Sequence, residues 1–117
     1  MTDKTLIRLG KLSRIADLVK DAALGDLARA SQACSETRQR LQALEPSPPA
    51  ETSLPLGALE NAALLHERWA EPRRRRLLEE LALQTARRLD CEAVARRALG
   101  RADVVHKLYR RQALRQG

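Results

Sequence analysis

Glu45-Pro46-Ser47-Pro48-Pro49 separates two stretches, 6–44 and 59–112, in which apolar residues recur at helical spacing. Proline lacks the N–H that the helical ladder needs and pushes the residue before it toward extended geometry, so no helix runs through this segment. The layout predicts an all-α fold, an antiparallel two-helix hairpin of coiled-coil type. Helix 1 is expected over about 4–44, a proline-rich connector over about 45–54 and a longer helix 2 over about 55–115, all within one domain, 1–117. A semi-rigid polyproline connector closed by a cap at Thr52 or Ser53 is the expected form; a ligand for an SH3-type domain is the alternative use of such prolines.

The composition suits helices. Ala, Leu and Arg dominate, Phe is absent, and Trp69 and Tyr109 are the only aromatics. Leu/Ala seams suit a thin, elongated particle that buries little surface per residue, so a homodimer, closing a four-helix bundle, is a natural way to cover more of it. No apolar run approaches the roughly 18–20 residues of a membrane span. Arg8, Lys11, Arg14 and Asp17 interrupt the N-terminal apolar stretch, which does not resemble a signal peptide, and a cytoplasmic protein without membrane insertion is expected.

In helix 1, capped near Asp3 or Thr5, the seam is expected at Leu9, Leu12, Ala16, Val19, Ala23, Leu27, Ala30, Cys34, Thr37, Leu41 and Leu44. Two successive steps of four, through Val19, Ala23 and Leu27, would make a stutter. Leu6, Ile7, Ile15, Leu18, Ala22 and Leu24 widen the stripe and imply a second neighbour there. In helix 2, Pro72 either opens a new helix or kinks a continuous one. The four cations that follow oppose the dipole of a fresh N-terminus, which favours continuity. Gly100 with Asp103 marks a second place where the helix could bend, against an uninterrupted course.

Folding the chain about residue 51 pairs positions whose numbers sum to about 103. Residues from Ala102 onward would then overhang the first helix. Cys34 would face the region of Trp69 and Cys91 that of Leu12, beyond disulfide reach, leaving two structural thiols. The expected overhang is basic: between Arg96 and Gly117, seven Lys/Arg stand against Asp103 alone. With Val104, Val105, Leu108, Tyr109 and Leu114 it forms a cationic amphipathic end, and Arg101, Val105, Lys107, Leu108, Tyr109, Arg110, Arg111 and Arg115 are the candidate partner-binding residues. A solvated, frayed terminus is the plain alternative. Arg73, Arg74, Arg75 and Arg76 are a candidate anion-binding cluster, although consecutive residues point around most of a helix.

Catalytic chemistry has no foothold. His66 and His106 stand alone, and there is no metal-ligand cluster, phosphate loop or nucleophile motif, so no enzyme activity, cofactor or metal is expected. Nucleic-acid binding, non-specific and salt-sensitive, is permitted by the net charge of +7, but helix-turn-helix and zinc motifs are not evident and stacking aromatics are scarce.

The whole-chain form, with 6–44, a short connector and a longer Arg/Leu/Ala helix ending in Leu108-Tyr109-Arg110-Arg111-Gln112, resembles the FliJ-like (YscO-like) stalk proteins of flagellar and type III secretion export. That resemblance implies an antiparallel coiled coil that inserts helix ends into a hexameric export ATPase and touches the export gate. It makes the basic tail and the N-terminus the ATPase-facing end. This chain is shorter than typical members, its connector is richer in proline, and the surface aromatics expected on a gate-binding side are missing.

Overall fold

The computed structural model describes residues 2–46 and 55–116. It is an all-α helical hairpin of α1 (Thr2–Ala43) and α2 (Leu56–Gln116). A tight turn ends α1, with Leu44 N donating to Leu41 O and Glu45 N to Gln42 O. At the start of α2 the carbonyl of Pro55 accepts from Ala58 and Leu59, so Pro55 holds the capping position by its backbone. Thr52, Ser53 and the polyproline reading of 47–54 lie outside the described residues. The helix continues through Pro72 and Gly100 without interruption.

The chain divides into two compact units. A terminal unit joins Met1–Ser31 to Arg87–Gly117, and a turn unit comprises Gln32–Ala86. In the terminal unit Ala23 packs with Ala95 and Ala98, flanked by Leu27; Tyr109 lies over Gly10, and His106 Nε2 is 3.0 Å from an Asp17 carboxylate oxygen. In the turn unit Thr37 reaches Gln84, and Arg40, Ala43 and Leu44 line one groove with Arg73, Arg76 and Leu77. Paired numbers in these contacts sum to about 120, well above the expected 103.

This register overturns the expected overhang. Ala102 is buried, and Val105, His106, Gln112 and Gln116 are half-buried, so the C-terminal turns of α2 have α1 as their partner. The surplus of α2 is instead at its start. His66 Nε2 donates to the Leu44 carbonyl at 2.8 Å, and in residues 56–65, ahead of it, Leu56, Leu64 and Leu65 are exposed while Leu59 is half-buried. The symmetric fold about residue 51 assumed that α2 pairs with α1 from its first turn. The cysteine placement changes with the register: Cys91 lines a small cavity with Ala23 and Asp26 rather than facing Leu12, and Cys34 is buried. Both thiols are free.

The same shift redraws the seam. The inward positions of α1 are Leu9, Ser13, Ala16, Lys20, Ala23, Leu27, Ala30, Cys34, Thr37, Leu41 and Leu44, all buried or half-buried. Their steps alternate four and three without a break, so the expected stutter is absent. From Leu77 to Gln116, α2 keeps an equally regular alternation, with Gln84 and Arg88 taking inward positions. Leu12 and Val19, expected in the seam, are 50% and 49% exposed. A seam of small residues lets the two backbones approach, and the larger apolar side chains then lie outside it.

Thr37 is 1% exposed, and its hydroxyl donates to Gln84 Oε1 at 2.6 Å across the hairpin; the Ala33 carbonyl, at 3.1 Å, is its local alternative. Slippage to another register would break this cross-hairpin bond and leave the hydroxyl only its local partner, so the pair favours the observed register. Gln84→Ala is expected to lower stability by about 1 kcal/mol, because the hydroxyl falls back on Ala33. Urea unfolding checks this; a loss near zero would mean that the pair contributes nothing to the hairpin.

Candidate docking face

The terminal unit holds fifteen Lys/Arg against seven Asp/Glu, whereas the turn unit holds seven against eight. The net positive charge of the chain is therefore confined to the terminal unit. It sharpens toward the open end, where residues 2–16 and 104–116 contain Lys4, Arg8, Lys11, Arg14, Lys107, Arg110, Arg111 and Arg115 against Asp3 alone.

Large apolar side chains share this region with the charge. In α1, Leu12, Val19 and Asp26 recur every seven residues; in α2, Val94, Arg101, Leu108 and Arg115 do the same. Asp26 and Val94 line one cavity with Asp90 and Cys91, which places both rows on the same side of the unit. The face they form carries Leu12, Val19, Val94 and Leu108, each 45–50% exposed, beside Ile15 and Val104 at 56%. Arg8, Arg101 and Arg115 border it.

The candidate partner-binding residues divide accordingly. Arg101, Leu108 and Arg115 belong to this face. Val105 is half-buried against α1, and the Tyr109 ring is taken up by Gly10, where an added Cβ would come within 3.4 Å of Tyr109 Cε2. Lys107 pairs with Asp103 at 2.8 Å, and this hydrogen bond, with the lysine's charge, holds the Asp103 carboxyl below its usual range. Arg110 and Arg111 are exposed.

The four-arginine run behaves differently from its expected role as one anion-binding cluster. Arg74 bonds Glu67 at 3.0 Å and Glu71 at 3.1 Å, and Arg75 reaches Glu71 at 3.4 Å. The hydrogen bond from Arg74, then its charge, holds the Glu67 carboxyl below the ordinary range, and the same bond raises the guanidinium pKa. Arg73 stacks on Trp69 with its carbon 4.4 Å from the ring centroid and donates to the Trp69 carbonyl at 2.7 Å. Arg76 donates to the Pro72 carbonyl at 3.4 Å.

Sequence reasoning missed the exposure of Leu12 and Val19 and the part played by Arg40. A strict alternation of threes and fours, followed through polar residues, would have signalled the first. Among the described residues no group of three His, Cys, Asp or Glu side chains could hold a metal ion, and no helix is long and apolar enough to cross a membrane. Comparison of the chain with protein families, curated proteins and solved structures gives no match.

Proposed function

We propose that this chain is a non-enzymatic helical-hairpin adaptor or stalk that docks on a larger assembly through the terminal unit. The identity put forward is a cytoplasmic component of flagellar or type III protein export acting on the export ATPase. One observation carries the docking reading: the hairpin is inside-out in size. Its buried apolar residues are Ala23, Ala30, Cys34, Ala70, Ala95, Ala98, Ala102 and a single large one, Leu44, whereas nineteen large apolar side chains among the described residues are exposed. Each such side chain, fully covered, would contribute about 1.5–3 kcal/mol. So much uncovered apolar surface supports an interface with a partner. The export identity rests on the likeness of form, with the first turns of α1 and the last turns of α2 in the basic terminal unit.

Because the C-terminal turns pair with α1, deleting them would strip α1 of its partner and confuse docking with unfolding. Surface substitutions avoid this. Leu12→Asp with Leu108→Asp is expected to leave the helical circular dichroism unchanged and to weaken binding to the purified export ATPase by at least about tenfold. No binding by the unsubstituted chain would end the export identity, and equal binding by the double variant would end the role of this face. The charge of the open end also supports the alternative, non-specific nucleic-acid binding. Duplex DNA titrated at ~50 mM and ~200 mM salt tests it, and steeply salt-dependent binding with no ATPase binding would favour that reading. A homodimer covering the same face would register as a doubled mass in sedimentation equilibrium.

A further inference from the structure

Arg40, Arg73 and Arg76 converge on one groove of the turn unit, floored by Ala43, Leu44 and Leu77, with a volume of about 470 Å³. The convergence depends on both helices. Arg73 and Arg76, three apart, share a face of α2; Arg40 comes from the last turn of α1. The two intervening arginines turn away to Glu67 and Glu71, which leaves those two carboxylates paired outside the groove. None of the three groove arginines has an acidic partner among the described residues. Carbonyl oxygens tether two of them, at Trp69 and Pro72, so these guanidiniums are held in place with further N–H donors free. The last-turn carbonyls of α1 favour one cation by the helix dipole, which accounts for Arg40 alone.

Three like charges around an apolar floor repel one another and are relieved by an anion. Leu44, 7% exposed, closes the bottom of the groove, and Leu77 is half-buried beside it, so a bound anion would have hydrocarbon beneath it. We propose that this groove binds a small molecule that joins an anionic head, carboxylate or phosphate, to an apolar chain. The head bridges Arg40 and Arg76, with Arg73 as the third donor, because guanidinium forks suit both kinds of oxyanion. The chain lies over Ala43, Leu44 and Leu77. The space falls within the range of small-molecule sites, and its open side limits the affinity.

The full chain, titrated with decanoate and followed by methyl resonances, tests this. Shifts are expected at Ala43, Leu44 and Leu77. Decyltrimethylammonium, with the same tail and a cationic head, should not reproduce them, and inorganic phosphate should bind about tenfold more weakly because it lacks the chain. Arg40→Gln with Arg76→Gln should weaken decanoate about tenfold or more. Arg38→Gln and Arg96→Gln, whose side chains are exposed and line no part of the groove, should leave it unchanged. Equal binding by the groove variant, equal loss in either control variant, or equal binding of the cationic amphiphile would each overturn the assignment. Phosphate binding as tightly as decanoate would overturn the apolar half of it. The test is independent of any export partner, since it reads small-molecule binding in the turn unit.

Discussion

Replacing Pro72 with alanine should stabilise the hairpin by about 2–3 kcal/mol, an unusually large gain for one exposed substitution. Pro72 lies well inside α2, with sixteen helical residues before it and forty-four after. Its ring nitrogen cannot donate to the Arg68 carbonyl, and the ring crowds that same carbonyl. The Trp69 carbonyl is already bonded by the Arg73 guanidinium at 2.7 Å, but among the described residues no side chain donates to the Arg68 carbonyl. Alanine restores the missing bond without creating a cavity, because position 72 is exposed. Part of the gain is offset by the freer unfolded chain that alanine allows. For a chain of this length the melting midpoint should rise by roughly 10 °C in a two-state transition. Amide exchange should slow around 68–76 in particular. An unchanged midpoint would mean that the helix relaxes around the proline at almost no cost. A lower midpoint would mean that the Trp69–Arg73 stack needs the proline's local geometry.

The two helices and the position of the break were legible because proline and a 3.6-residue period act locally. The proline run excludes a helix whatever surrounds it, and the apolar recurrence on each side exceeds any strand pattern. Register was not local. It depends on where along α2 the pairing with α1 begins, and the spacing of Pro46, Pro48 and Pro49 does not encode that. Following the largest apolar side chains was the second source of error. Leu12 and Val19 look like seam residues by hydrophobicity, yet Ser13 and Lys20 hold the inward positions, because the alternation of fours and threes runs through them. The cationic end was legible from composition. Its pairing with α1 was not, and neither was the meeting of Arg40 with Arg73 and Arg76, which requires the register to be known first.

The sharpest test of that register sets a small residue against two large ones. Ala98 is 4% exposed and packs with Ala23 and Ala95 in the seam. Ala98→Leu adds three carbons with no space to receive them, so α1 and α2 must separate or slip. Overpacking of this kind costs about 1–3 kcal/mol. In the register whose paired numbers sum to about 103, by contrast, Leu12 and Val19 belong to the core, and Leu12→Gln or Val19→Gln would cost about 2–4 kcal/mol. With both side chains outside the seam, each should change stability by no more than about 0.5 kcal/mol. Urea midpoints for the three variants, measured with unchanged m-values, decide between the registers. A severe Leu12→Gln beside a mild Ala98→Leu would return the large side chains to the core and remove the apolar face from the docking proposal. The opposite order leaves Leu12 and Val19 free to be covered by something other than α2.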